Sequence, residues 1–146
     1  MLFKEKSTGF TLIELMIVIA LVGVIAAFAV PQLGQVIDNN RVVSTTNSIV
    51  GILNFSRMEA IRRGKQVTAA AAGDTMSSTL TSDATVLRQM EPAEGDLTIS
   101  SGSVTFSANG MASANTTFTV CSGDATGRQV SVTLGGRVSS AEFTCP

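Results

Sequence analysis

Residues 10–30 read FTLIELMIVIALVGVIAAFAV, and this stretch decides the fold because its only charged side chain is Glu14. An α-helix rises 1.5 Å per residue, so these residues would span roughly 31 Å, enough to cross a bilayer. A secretory signal has a shorter apolar core of about 7–15 residues, followed by small residues at its cleavage site. Here the apolar run is longer and Pro31 follows it. The sequence therefore predicts a membrane-spanning helix.

Positive charge precedes this helix, at Lys4 and Lys6. The positive-inside rule keeps such a flank in the cytoplasm and sends residues 31–146 across the membrane. Those residues are enough for one small domain. We therefore expect a single-pass protein with one head on the far side of the membrane.

Glu14 is the costly residue of the apolar stretch. A carboxylate at the centre of a spanning helix costs roughly 2.5–3.5 kcal/mol on insertion scales, and less near an end. Its side chain either reaches the interfacial water or pairs with a positive group on another chain. The sequence alone leaves both interpretations open.

The composition argues against an enzyme. The chain has no histidine, tryptophan or tyrosine. Without histidine it lacks the commonest general base and metal ligand, so we expect neither catalysis nor a cofactor or metal. Residues 66–146 carry three arginines against seven carboxylates, a net charge of about −4, and no basic face for nucleic acid is evident.

The two cysteines, Cys121 and Cys145, predict a disulfide, since an isolated pair in an exported domain is usually oxidised. Closing a loop of about 25 residues would stabilise the head by roughly 3–4 kcal/mol. The alternative is a pair of free thiols in a cytosolic protein, which the predicted export disfavours.

Residues 31–65 are amphipathic and predict a continuation of the helix. One helical face carries Val42, Thr46, Ile49, Leu53, Ser56 and Ala60. The remaining face carries Asn39, Arg41, Asn47, Asn54, Arg57 and Arg62. A cationic last turn and Gly64 are typical of a helix C-terminus. We expect one helix from about residue 11 to 63, with Pro31 and Gly34 as the positions where it could kink.

Residues 66–146 predict a β-rich head, which makes the fold class α+β. The candidate strands are 66–72, 84–89, 96–100, 103–107, 117–122, 128–134 and 137–144. The clearest hairpin signal is the alternation that runs up to Gly135-Gly136 and resumes after it. We expect an antiparallel sheet packed on the amphipathic half of the helix, with segment 73–83 as a loop.

The run Ser7-Thr8-Gly9-Phe10-Thr11-Leu12-Ile13-Glu14, followed by the apolar stretch, resembles the start of type IV prepilins and related pseudopilins. The resemblance implies that a prepilin peptidase cuts between Gly9 and Phe10 and that Phe10 is then N-methylated. It also implies an assembly partner for Glu14, namely the N-terminal amine of a neighbouring subunit.

The same resemblance divides the chain into four parts and places it in the cell. These parts are a leader (1–9), a transmembrane and filament-core helix (10–30), its amphipathic continuation (31–65) and the head (66–146). The expected location is the bacterial inner membrane, with the head in the periplasm, and later the pilus outside the cell. The expected partners are major and minor pilins, the prepilin peptidase, the inner-membrane assembly platform and, before assembly, membrane lipid.

Four further motifs are Arg57-Met58-Glu59-Ala60-Ile61, Val104-Thr105-Phe106-x-x-x-Gly110, Phe118-x-x-Cys121 and Arg128-x-Val130-x-Val132-x-x-x-Gly136-Arg137-Val138. Together they resemble the GspH/FimT group of minor pilins, which includes FimU. This resemblance implies a structural subunit that helps to initiate pilus assembly and lies at or near the tip. Such a subunit supports twitching motility, adhesion or DNA uptake.

Three alternatives stay open: a DNA-binding receptor at the pilus tip, an H-type pseudopilin of type II secretion, and a major pilin. Some FimT-like proteins bind DNA through a Gly-Arg-x-Arg stretch, and Arg137 and Arg128 are the candidate DNA contacts here. The second arginine of that stretch is Ser139 in this chain. Serine at this position weakens the DNA-binding alternative, as does the acidic head.

Overall fold

The computed structural model describes residues 9–93, 95–123 and 126–145. The helix α1 (Leu12–Arg63) comes first, and eight strands follow it in the described ranges: β1 (Val67–Ala72), β2 (Thr75–Leu80), β3 (Val86–Gln89), β4 (Leu97–Ile99), β5 (Gly102–Phe106), β6 (Thr116–Ser122), β7 (Thr126–Val132) and β8 (Val138–Thr144). The predicted helix and the α+β class are confirmed. The predicted leader, apart from Gly9, lies outside the described residues.

The chain divides into two units, Met1–Val36 and Ile37–Pro146. In the first unit, Thr11 caps the N-terminus of α1. The Thr11 hydroxyl accepts the backbone N–H of Glu14 at 3.3 Å, and the Thr11 carbonyl accepts that of Leu15 at 3.2 Å. These bonds satisfy donors that a helix N-terminus otherwise leaves without partners.

In the second unit, the predicted apolar face of α1 forms one wall of the core. The six residues predicted for this face are each at most 2% exposed: Val42, Thr46, Ile49, Leu53, Ser56 and Ala60. The hydroxyl of Ser56 donates to the Ile52 carbonyl at 2.8 Å, and its oxygen lies within hydrogen-bond distance of Ser78 Oγ, also at 2.8 Å. These bonds join α1 to β2 and offset the cost of burying a polar group.

Two four-stranded antiparallel sheets form the rest of the head, in the orders β3-β2-β1-β5 and β4-β6-β7-β8. The expectation of one sheet is therefore wrong. The division arises because β4 pairs with β6 whereas β5 pairs with β1. Inward-facing side chains from both sheets are at most 1% exposed: Val67, Ala69, Met76, Val104, Phe106, Phe118, Val120, Val130 and Val132.

The expectation that segment 73–83 is a loop is also wrong, because it contains β2. This strand pairs with β1 in a hairpin that closes at Ala72↔Thr75. Its inward positions are Met76, Ser78 and Leu80, all buried. Since a serine occupies the middle inward position, the apolar alternation that marks a strand is interrupted.

The predicted hairpin at Gly135-Gly136 is confirmed as β7–β8, which pair from Val132↔Val138 to Thr126↔Thr144. Gly136 adopts a left-handed backbone with φ 73°, a conformation that glycine enters at little cost. Every buried core residue lies between Val42 and Cys145. Among the described residues, the core therefore lies wholly within the second unit.

Candidate assembly interface

The N-terminal part of α1 is apolar on every side, and each of its described side chains is exposed. Residues 9–30 and 33–36 are all exposed, among them Phe10 at 79% and Phe28 at 72%. This stretch gives α1 the length and apolar character needed to cross a membrane. A helix that is hydrophobic on every face needs lipid or protein around it, so this surface is an interaction surface.

The predicted cleavage and assembly residues occupy the start of this surface. Gly9 and Phe10 are exposed and precede the first turn of α1, so the bond between them is accessible. Glu14 is also exposed and lies in that first turn, where the helix dipole favours a carboxylate. Thr11-x-x-Glu14 has the spacing of a capping box, a signal that the sequence analysis missed.

The predicted disulfide is confirmed between Cys121, near the end of β6, and Cys145, just after β8, whose Cα atoms lie 5.9 Å apart. It closes the end of the sheet opposite the β7–β8 turn. Gly127 lies against it. A Cβ atom there would collide with Cys145 Sγ and would lie 2.6 Å from the Val120 carbonyl oxygen. Only glycine fits between the disulfide and β6.

The sequence analysis placed Arg57 on the polar face of α1, away from the core, but its side chain contacts the β region. Its side chain is half-buried, and it donates from Nε to the Gly110 carbonyl at 3.1 Å and from Nη2 to the Gly135 carbonyl at 3.4 Å. Two turns of the β region thus meet the C-terminal part of α1. A Cβ atom on Gly136 would collide with the Gly110 carbonyl oxygen. Arg57, Gly110 and Gly136, all motif residues, therefore lie together where two turns of the β region contact α1.

The rest of the basic helix end is partly neutralised by Glu59. Its carboxylate accepts Arg62 Nε and Nη2 at 2.8 and 2.7 Å and Arg63 Nε at 2.6 Å. Hydrogen bonds from Arg62, and then from Arg63, lower the pKa of Glu59 to about 2. Within the described ranges, His, Cys, Asp and Glu side chains form no group of three that could hold a metal ion.

The candidate DNA contacts lie at opposite ends of the β7–β8 hairpin. Arg137 is exposed beside the turn. Arg128 is half-buried and is paired in register with Glu142 of β8. It lines a cavity of about 350 Å³ together with Asn39, Val42, Val43, Gly127 and Glu142. The two arginines do not form one basic surface, and DNA binding stays a prediction.

Two family models match this chain. The model described as "Type II transport protein GspH" matches residues 45–136, and the one described as "Prokaryotic N-terminal methylation motif" matches residues 5–30. The chain belongs to the GspH family. The first match covers the C-terminal part of α1 and most of the head, and the second covers the N-terminal apolar segment with part of the predicted leader. They confirm both resemblances drawn from the motifs.

Relatives and solved structures agree with the GspH assignment. A fimbrial protein of Pseudomonas aeruginosa is 37% identical over 67 residues, which are 46% of this chain and 43% of that protein. The type IV major fimbrial protein FimA of Dichelobacter nodosus is 38% identical over 82 residues, which are 56% and 52% of the two chains. This chain thus spans about half the length of the curated relatives that it matches.

Crystal structures of the type IV minor pilin FimU of Pseudomonas aeruginosa share the fold. The P21 form has a TM-score of 0.61 at 22% identity, and the match covers 74% of this chain and 90% of FimU. The P65 form has a TM-score of 0.58 at 24% identity, covering 67% and 90%. This GspH-family chain is a type IV pilin-like structural subunit and not an enzyme.

Proposed function

We propose that this protein is a minor type IV pilin that helps to initiate pilus assembly and lies at or near the pilus tip. There it supports twitching motility, adhesion or DNA uptake. The main observation behind the proposal is that the chain has two contrasting parts. The apolar part of α1 begins at Leu12, just after Gly9-Phe10, with its described side chains exposed up to Val36, and a GspH-type head follows it.

The proposal includes processing at the N-terminus. A prepilin peptidase removes residues 1–9 by cutting between Gly9 and Phe10, and Phe10 is then N-methylated. The exposure of both residues, their place before α1 and the match to the methylation motif support this step. The apolar helix stays in the mature subunit.

Before assembly, the subunit crosses the inner membrane once, with its head in the periplasm. Lipid then covers residues 10–30, and the amphipathic residues 31–65 lead into the head. During assembly, contacts with major and minor pilins replace the lipid around the helix. The subunit moves from the membrane into the pilus at the inner-membrane assembly platform. The exposed apolar surface supports this exchange, because it is compatible with either surrounding.

Glu14 is the proposed assembly contact. Cleavage gives Phe10 a cationic amine, and the Glu14 carboxylate of a neighbouring subunit pairs with it. Because either charge alone is costly in an apolar bundle, the pair favours one register between subunits. The exposure of the Glu14 side chain supports this role.

The test replaces Glu14 with alanine or glutamine. We expect Glu14→Ala and Glu14→Gln to be inserted and cleaved normally, and to fall at least about tenfold in sheared pili, since an unpaired buried charge costs several kcal/mol. Glu59→Gln, on the same helix but outside the apolar segment, is the matched control and should be incorporated normally. Normal incorporation of Glu14→Ala would contradict the proposed contact.

The match to a type II transport model favours a second candidate, a pseudopilin of type II secretion. Deletion of the gene separates the two functions. A minor pilin predicts loss of surface pili with secretion unchanged, whereas a pseudopilin predicts accumulation of exported enzymes in the periplasm with pili intact.

A further inference from the structure

The C-terminal end of α1 and the two turns that meet it carry an exposed apolar surface. Its four large side chains are between 49% and 61% exposed, and they are Met58, Ile61, Met111 and Leu134. Beyond residue 42, the other large apolar side chains that are exposed within the described ranges are Val43 and Val86. Most of the exposed apolar side chains of the head therefore belong to this group, which we call the helix-end surface.

Packing and hydrogen bonds make the helix-end surface continuous. Met58 and Ile61 are three residues apart, so they share one face of α1. Ile61 packs against Gly110, because a Cβ atom on that glycine would lie 2.7 Å from Ile61 Cδ1. Met111 follows Gly110, and the N–H of the residue after Met111 donates to the Leu134 carbonyl at 2.9 Å. The helix and both turns therefore contribute to one surface.

Positive charge surrounds the helix-end surface. Arg57 lies between the two turns and Arg137 follows the second, and neither forms an ion pair with a carboxylate of the described residues. Five positive side chains and two carboxylates give this end of the head a net charge of +3; they are Arg57, Glu59, Arg62, Arg63, Lys65, Asp83 and Arg137. The other charged residues from 37 to 146 are three arginines and seven carboxylates, a net charge of −4. Most of the positive charge of the head is therefore beside this surface.

We propose that the helix-end surface docks the head of a different pilin subunit, whose facing side carries carboxylates around apolar side chains. The inference rests on the proposed function, in which this subunit is assembled among other pilins. Methionine and arginine are enriched in protein interfaces, and apolar side chains fill the buried centre of an interface. The helix-end surface has both features. Its net positive charge attracts an acidic partner and repels a basic one.

Charge and composition disfavour other occupants. The same surface of a second copy would bring its own arginines to the contact, and like charges that face each other repel. Nucleic acid would contact the arginines through its phosphates, but the four apolar side chains would gain no partner from that contact. Methionine side chains are flexible and adapt to the shape of a partner surface. A protein surface with both acidic and apolar side chains therefore matches the helix-end surface best.

The test places a photo-crosslinking side chain on the full chain, and adducts are analysed in purified pili. Met58→p-benzoylphenylalanine carries the crosslinker on the helix, and Leu134→p-benzoylphenylalanine repeats the measurement from a turn. Val86→p-benzoylphenylalanine is the matched control, because Val86 is 56% exposed but belongs to β3. The strand β3 is three strands away from β5, which leads into the Met111 turn. Mass spectrometry identifies the cross-linked peptides.

We expect positions 58 and 134 to give at least about tenfold more adduct than position 86, since only they lie within contact distance of the partner. The partner peptide should come from the head of another pilin and should contain Asp or Glu. Arg137→Glu should lower the yield at position 58 at least about fivefold, whereas Arg137→Lys should keep it, because lysine retains the charge. Formation of the native disulfide reports whether each variant is folded.

Equal yields at positions 58, 134 and 86 would overturn the proposal, as would no adduct at 58 and 134 in pili that contain those variants. An adduct with a second copy, with lipid or with a protein that is not a pilin would also overturn it. Folded variants at 58 and 134 that are missing from pili, beside a control that is present, would support docking through this surface. Absence of the unsubstituted chain from pili would contradict the proposed function itself, whereas the other outcomes would leave that function standing.

Discussion

The two parts of α1 use apolar residues in opposite ways. Up to Val36 every described side chain is exposed, whereas from Val42 to Ala60 one face is buried against the sheets. In the head, apolar residues recur at helical spacing because only one face meets a core. In the first unit, apolar residues lie on every side of the helix, because it is lipid or another protein that covers them. We therefore expect the head to determine stability and the N-terminal helix to determine assembly.

The largest expected effect compares one phenylalanine from each part. Phe118 is fully buried and Phe28 is 72% exposed. Phe118→Ala should lower the free energy of unfolding of the head by about 3–5 kcal/mol, because it leaves a cavity. Phe28→Ala should change it by less than about 0.5 kcal/mol. Denaturant titration of the intact chain in detergent, followed by circular dichroism, measures both. Equal losses would contradict the separation of stability from assembly.

A smaller effect is expected at the helix end, where two arginines have different surroundings. Arg57→Ala should cost about 2–3 kcal/mol, since it removes charged donors from the carbonyls of Gly110 and Gly135. Arg62→Ala should cost less than Arg57→Ala, because the Arg62 side chain is 63% exposed and water screens its ion pair with Glu59. The same denaturant titration compares them. A larger loss for Arg62→Ala would show that the two turns do not depend on Arg57.

The smallest effect is a pH dependence. Arg62 and Arg63 lower the pKa of Glu59 to about 2 from its ordinary value of 4.5. Because the folded state favours the ionised carboxylate, this contribution is fully present above about pH 4.5 and is lost as the pH falls through 2. Glu59→Gln should flatten the decline of stability over that window, with the unfolding midpoint measured from pH 6 to pH 2. An unchanged slope would mean that Glu59 does not contribute to the acid sensitivity of the head.

The sequence predicted the elements that depend on local patterns. The buried face from Val42 to Ala60 follows from helical spacing, and the β7–β8 hairpin follows from alternation around Gly135-Gly136. The disulfide follows from two cysteines and the expected export. Each of these signals lies in a short stretch of sequence or, for the disulfide, in a pair of cysteines.

The parts that sequence reasoning missed depend on contacts between distant residues. Ser78 occupies an inward position of β2, where Ser56 of α1 bonds to it. Because this inward residue is polar, the apolar alternation that would predict a strand is interrupted. The strands divide into two sheets because β5 pairs with β1. No local sequence pattern predicts that pairing. Arg57 looks like a solvated helix residue until the turn at Gly110 meets it. The sequence signal for this role was that Arg57 lies in the motif Arg57-Met58-Glu59-Ala60-Ile61.

Mass spectrometry of purified pili tests the central claim most directly. If the protein is a minor type IV pilin, pili contain it in far smaller amounts than the major subunit. Its N-terminal peptide begins at Phe10 and carries one methyl group, and Cys121 and Cys145 are linked. Absence of the chain from pili, or a chain that still carries residues 1–9, would contradict the account.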